Sequence, residues 1–380
     1  MDYCGSYVPL IRESEVLRSV DSGRKPTTIN KLSSAFDLKA MLKPGDRLWL
    51  MMGSTNASVA LAAFRMDVEV HQLSLPRLSS WLNRVKTEEE GERAGKGRLK
   101  VKPEHVLAAS QEAPDLFYPM TPAQAEVLEI MAAWQRLDDA MESRKAAANL
   151  LRSRIYQEAV VYGRAGGQQL PSDPKEARET LKAVLFDLLS TKDEKGRKRT
   201  PENPHIAFLV EQEDRERAQL DRVCDNNSFY RHLFGNVEGV GPGLGARFIS
   251  AIERIERFEK PRDLSNYAGL LPRGKEGCLP SRMRSKGQPL SRSPELNAAG
   301  FLLQDHMFQW GRKTMLGQML HQQVERDCPC TAEQRKADKD LRRRYVGVVK
   351  QARIDMTCYF LEKIVWPRWW QYLGLTSDSQ

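Results

Sequence analysis

Residues 237–273 read VEGVGPGLGARFISAIERIERFEKPRDLSNYAGLLPR, with five glycines, an amphipathic run and a basic exit. Gly239, Gly241 and Gly243 are positions where the backbone is expected to adopt positive φ or to meet another backbone closely. The following helix is expected from Ala246 to Ile255. Its unpaired N–H groups and positive dipole end would point back at the glycines. A phosphate fits such an end without any side chain. This is the physics of a helix-hairpin-helix, which grips sugar–phosphate backbone and carries no base readout. A tight helix–helix turn without a ligand is the alternative. No Gly-Lys-Ser/Thr follows, so the stretch is not a Walker loop. No strand precedes it, which disfavours a dinucleotide fingerprint.

The neighbourhood is basic. In PRGKEGCLPSRMRSKGQPLSR (272–292), Arg273, Lys275, Arg282, Arg284, Lys286 and Arg292 face one acid, Glu276. Such a loop suits phosphates, with an ordinary solvated loop as the alternative. A second strip, RRRYVGVVKQAR (342–353), puts Arg342, Arg343, Arg344, Lys350 and Arg353 on one helix with Tyr345. Gly245 and Arg247 complete the candidate phosphate-binding set.

Across 380 residues, 59 Lys and Arg stand against 50 Asp and Glu, a net charge of +9. The length allows two or three domains, and the charge favours an anionic partner without specifying a fold. The six cysteines show no disulfide-scaffold spacing. Cys328-Pro-Cys330 with His321 nearby invites a zinc reading, but no second CxxC or HxxxH pair supports it, and no metal site is assigned. The start, MDYCGSYVPLIRE, has neither a basic nor an apolar leader region, and no apolar run approaches membrane-spanning length. A cytoplasmic, nucleoid-associated protein is expected.

Upstream, RLWLMMG (47–53), ASVALAAF (57–64) and DVEVHQL (67–73) read as strand, helix and strand of a parallel βαβ unit. NRVKTEEEGERAGKGRLKVK (83–102) reads as an exposed loop. Thr121-Pro122 opens a long helix to about Val161, with Val127, Met131, Trp134, Leu137 and Met141 at near-heptad spacing. Gly163–Gly167 ends it, Ser172-Asp-Pro174 caps a second helix to Leu189, and residues 205–224 form a third. These helices fit a coiled-coil arm or a plain bundle.

The 237–273 stretch resembles the C-terminal signature of the DEDD insertion-sequence transposases, the recombinases guided by a bridging RNA, together with the Piv-type DNA invertases. The matching residues are Glu238-Gly239-Val240-Gly241-Pro242, Phe258, Leu264 and Tyr267-Ala268-Gly269-Leu270-Leu271-Pro272. The likeness is dense over 235–300, and Ser285-Lys286-Gly287 and Pro294-Glu-Leu-Asn-Ala-Ala extend it. More weakly, residues 48–78 resemble the family's strand–helix–strand, and 113–155 its coiled-coil entry, with Arg144 and Asn149 in place. The resemblance implies an α/β RNase H-like (RuvC-like) domain over 1–120, a long-helix coiled-coil insertion over 121–227, and an all-α transposase-type domain with a helix-hairpin-helix over 228–380. It also implies structured non-coding RNA and DNA as partners, and assembly as a homodimer or homotetramer.

The chain departs from the family where the chemistry lies. Tyr7 stands at the first carboxylate position, and Gly53 at the second. The Asp-x-x-Asp region, LKVKPEHVLAAS (99–110), holds only Glu104. The serine nucleophile's place falls at Lys275, with Ser281 and Ser285 the nearby hydroxyls. Two hard cations need several converging oxygens, and a serine needs an activating partner. The expectation is a nucleic-acid-binding relative without catalysis and with no cofactor. The alternatives are an active transposase using magnesium, with Asp2, Asp46, Glu69 or Glu104 as ligands, and a helical structural protein.

Overall fold

The computed structural model describes residues 2–6, 14–19, 27–32, 42–52, 54–90, 103–270 and 293–375. The chain forms two compact units, one of Met1–Ala132 with Cys224–Gln380, the other of Ala133–Val223. Among the described residues no helix is long and apolar enough to cross a membrane.

The first unit begins with strands β1 (Asp2–Ser6), β2 (Ser14–Ser19) and β3 (Thr27–Leu32), an antiparallel meander. Then come β4 (Arg47–Met51), helix α1 (Ser54–Phe64) and β5 (Glu69–Leu73). β4 runs parallel to β1 and to β5, so the expected βαβ unit is present. The short β6 (Tyr118–Pro119) pairs antiparallel with β5, giving the sheet order β3-β2-β1-β4-β5-β6. In β4 only Arg47 is exposed, as a strand covered on both faces requires. Asn56 donates to the Met51 carbonyl at 2.7 Å and ties the first turn of α1 to the end of β4.

Helices α2 (Leu75–Glu90) and α3 (Pro103–Glu112) cover one side of the sheet. Leu78, Trp81, Val106 and Leu107 pack there with Trp49, Met51 and Leu73. Trp49 stacks on His71 at 4.2 Å and meets Phe117 edge-on at 4.7 Å. The expected loop over 83–102 is corrected in part, because 83–90 continues α2. Val85 still packs on the apolar cluster, and the acids Glu88–Glu90 are good helix formers. Residues 91–102 lie outside the described residues.

The long helix α4 spans Pro122–Tyr162, about 60 Å. Thr121 Oγ1 accepts from the Gln124 N–H at 3.2 Å, as its capping role requires. Of the near-heptad face, Val127, Met131 and Leu137 are buried.

The remaining helices of this unit are α7 (Ser228–Phe234), α8 (Pro242–Ile252), α9 (Pro261–Tyr267), α10 (Pro294–Trp310), α11 (Met315–Asp327), α12 (Ala332–Ala337), α13 (Lys339–Tyr359) and α14 (Trp366–Tyr372). A π-helical turn, Phe360–Val365, joins α13 to α14. The core is aromatic: Phe229 meets Trp369 at 4.9 Å, and Phe248 meets Phe360 at 5.0 Å.

Two polar clusters join distant segments. Glu126, in the first turn of α4, accepts from Ser228 Oγ at 2.6 Å, the Phe229 N–H at 2.9 Å and Tyr372 OH at 2.9 Å. It thereby caps α7 and receives the end of α14. Burial pushes the Glu126 carboxyl up, but these hydrogen bonds outweigh it and hold the group below its ordinary range. Arg254 is the second cluster. Only 3 % exposed, it donates to Gln72 Oε1 at 3.2 Å and to the Pro119 carbonyl at 3.1 Å, and pairs with Glu256 at 3.2 Å. It ties the β5–β6 edge to the turn after α8.

The second unit holds the outer part of α4, a hairpin of β7 (Arg164–Ala165) and β8 (Gln168–Gln169), α5 (Pro174–Leu189) and α6 (Pro204–Asn226) up to Val223. Asp173 caps α5 by accepting from the Lys175 and Glu176 amides. Arg136 pairs with Glu216 at 3.2 Å and Arg144 with Glu213 at 2.6 Å. The partner number falls along α6 as it rises along α4, so the helices run antiparallel. Buried apolar side chains here are few, chiefly Leu137, Ile155, Ile206 and Leu220.

Because the folded Glu126 carboxyl is held low, its contribution is complete above the unfolded carboxyl value and is lost as pH falls through the folded value. Glu126→Gln is expected to cost about 1 kcal/mol at neutral pH and to flatten the acid limb of denaturant stability measured against pH. Arg254→Ala is expected to cost about 2–3 kcal/mol in the same unfolding assay, with Arg254→Lys intermediate because a lysine cannot reproduce the fork.

Candidate nucleic-acid interface

The hairpin between α7 and α8 is built from glycine and proline. Gly239 has φ +86°, and a Cβ there would lie 2.6 Å from Met307 Cε. A side chain at this position is therefore strained. Val237 and Val240 are buried beneath the hairpin, and Tyr230 OH donates to the Val240 carbonyl at 3.3 Å.

The start of α8 differs from the expectation. It begins at Pro242, not Ala246, and ends at Ile252, with a short 3-10 turn over Ile255–Arg257. Proline at the first helical position is preorganised for the helix and draws the following glycines into it. Gly241 is the N-cap with φ −78°, so the positive φ expected at Gly241 and Gly243 is corrected to Gly239 alone. Gly243 and Gly245 lie in the helix. A Cβ on Gly245 would meet Tyr230 Cε2 at 2.7 Å and Phe234 Cδ2 at 2.9 Å, so this glycine serves the close packing of α7 on α8.

Gly241 and Gly243 are different. A Cβ at either would meet nothing within 4 Å. The first turn of α8 has no side-chain cap and no acidic residue. The helix thus presents its amide end bare, beside the half-buried Arg247. At the other end, Glu253 takes φ +61°, strained for a side chain of this type. Gln124 donates to its carbonyl at 3.3 Å, and Arg257 pairs with its carboxylate at 3.0 Å.

Arg342, Arg343 and Arg344 share α13 with Tyr345 and are exposed. Arg343 pairs with Asp340 at 3.6 Å, and Arg344 donates to the Asp327 carbonyl at 3.3 Å. Arg353 is engaged inward, 3.7 Å from Asp305 and 4.5 Å over the Phe308 ring. Sequence reasoning passed over a flank of the hairpin. His306 of α10 comes within 3.6 Å of a Cβ built on Gly239, and Trp310 ends α10 70 % exposed, followed by Arg312 and Lys313. Its signal was Trp310-Gly-Arg-Lys, an aromatic beside two cations.

Arg273, Lys275, Ser281, Arg282, Arg284, Ser285, Lys286 and Arg292 lie outside the described residues, as do Tyr7 and Gly53. Glu104 is in the first turn of α3. Asp46 and Glu69 stand at the amino ends of β4 and β5, whereas open parallel sheets place ligands beyond the carboxyl ends. Asp46 accepts from the Lys43 N–H at 2.8 Å. Glu69 pairs with Arg47 at 2.9 Å and His71 at 3.0 Å, and the Arg47 hydrogen bond leads the causes that hold its carboxyl low. Both acids have structural work in this turn and strand pair. Along the carboxyl edge of β1 and β4, the described residues are Ser6, Met51 and Met52, with Asn56 just beyond. Among the described residues, no three His, Cys, Asp or Glu side chains are grouped to hold a metal ion.

Gly241→Asp separates fold from binding at this site. An N-cap carboxylate is expected to stabilise α8 by roughly a few tenths of a kcal/mol. The same charge repels phosphate, so retention on immobilised nucleic acid is expected to drop while the unfolding midpoint holds or rises.

No curated protein matches the chain. Residues 231–299, from α7 through the hairpin and α8 into α10, match the family model described as Transposase IS116/IS110/IS902 family. Over these residues the chain is similar to that transposase family.

Proposed function

We propose that the protein binds nucleic acid through the α7–α8 hairpin and the basic segments around it, as a relative of RNA-guided transposases that holds RNA and DNA without cutting. The observation that carries this reading is the uncapped, glycine-lined start of α8 inside the segment that matches the transposase family. Bare amides and the helix dipole fit a phosphate there, and the α7–turn–α8 arrangement agrees with a helix-hairpin-helix. The basic loop 272–292 follows in sequence, and Arg342–Arg344 add exposed cations.

The N-terminal sheet supports an RNase H-like reading. It has a three-stranded meander extended by β4 and β5 parallel to its first strand. Such a domain would cleave only with converging carboxylates. The sequence puts Tyr7 and Gly53 at two of those positions and Lys275 at the place of the nucleophile. The protein would then act by occupancy, as a repressor, targeting factor or assembly platform. Tyr156, Val160, Val161 and Tyr162 are exposed near the end of α4, apolar side chains that assembly into a homodimer or homotetramer would cover.

Sequencing the nucleic acid that copurifies with the protein tests this reading, and a defined RNA or DNA species is expected. Replacing Arg282, Arg284 and Lys286 together with Ala should weaken binding to all sequences alike and lower the slope of log affinity against log salt by about 2–3. An unchanged slope would remove the loop from the grip. Magnesium-dependent nicking of supercoiled DNA, lost on Ser281→Ala or Glu104→Ala, would replace the non-catalytic reading with an active transposase.

A further inference from the structure

Cys328 and Cys330 flank Pro329 in the turn between α11 and α12. Their Sγ atoms stand 3.4 Å apart. Both are free thiols, Cys328 buried and Cys330 half-buried. The turn holds them in register. The Cys328 N–H donates to the Val324 carbonyl at 3.0 Å, ending α11. Thr331 and Gln334 form a reciprocal capping box that starts α12. Proline between the cysteines removes a backbone freedom.

Arg335 donates to the Cys330 carbonyl at 3.0 Å, lies 3.9 Å from Cys330 Sγ and stacks on the Tyr345 ring at 4.0 Å. Cys330 is the more accessible of the two sulfurs. Burial leads the causes that raise the Cys328 thiol, with Cys330 adding to them, so the inner sulfur stays protonated in the reduced state.

We propose that Cys328 and Cys330 form a reversible dithiol–disulfide site that exchanges with small-molecule disulfides of the glutathione class. The Cys330 thiolate attacks one sulfur of the oxidised compound and releases the first thiolate of that compound. Cys328 loses its proton and attacks Cys330 of the mixed disulfide, releasing the second. The protein loses two protons and two electrons, and the small disulfide takes them up and is reduced to two thiols. Closing the bond brings the sulfurs from 3.4 Å to about 2.05 Å, within reach of side-chain rotation. The site borders α13 through Arg335 and Tyr345, so the redox state is registered beside the helix that carries Arg342–Arg344.

The full-length reduced protein is incubated in glutathione buffers of stepped ratio, trapped by alkylation and read by intact and peptide mass. Wild type is expected to lose two hydrogens in the peptide holding both cysteines and to regain them with dithiothreitol. Cys328→Ser is expected to stop at a glutathione adduct on Cys330. Cys330→Ser is expected to leave Cys328 unmodified in folded protein, with circular dichroism confirming the fold of each variant. The proposal fails if wild type keeps the adduct without closing, or if Cys330→Ser reacts at Cys328 as fast as wild type reacts at Cys330. It also fails if the folded chain stays reduced at every ratio that oxidises the denatured chain.

Discussion

The Glu126 carboxylate is the constraint on which the helical half of the molecule depends. It sits in the first turn of α4, yet its partners are the start of α7 and the last residue of α14. Ser228 and Tyr372 also lie 2.6 Å from each other, so three segments meet in one closed set of hydrogen bonds. Asn227 adds a fourth link by donating to the Glu126 carbonyl at 3.0 Å. The same Asn227 caps α7 by accepting from the Tyr230 N–H. Once α7 is fixed, Tyr230 and Phe234 define the surface on which Gly245 can approach, and α8 takes its position from that contact.

Arg254 completes the arrangement from the other side. The strained residue Glu253 turns the chain out of α8, and the next side chain enters the edge of the sheet. The helix that offers bare amides at its start is therefore anchored at its end. Under the proposed function this support matters, because a loosely held dipole would reorient rather than attract. Both anchors are polar.

Several of these features could be read in the sequence. The apolar run before Gly53, the Ala-rich stretch and the alternation of 67–73 gave β4, α1 and β5 within a few residues, because periodicity and glycine punctuation are local signals. Thr121-Pro122 announced α4 for the same reason. The start of α8 was misplaced by four residues. Pro242 at the first helical position draws Gly243 and Gly245 into the helix. The meander β1–β3 was not legible as three strands, since SEVLRS and TTINKL carry little apolar alternation. Glu126, Gln72 and Arg254 looked like ordinary polar residues. Their roles come from partners 100 to 246 or more than 180 positions away, or across the sheet edge, which no local pattern encodes.

The wide turn at Phe360–Val365 acts as a phase shifter. A π turn accommodates one residue more than a regular helical turn. Were one residue of that hexapeptide removed, everything beyond would rotate by about 100° relative to α13. Trp369 would leave the Phe229 ring and Tyr372 would swing away from the α4 root. The extra residue thus sets the angular register between the basic helix and the aromatic plug, and a deletion there would act on the first turn of a helix more than two hundred residues upstream in sequence.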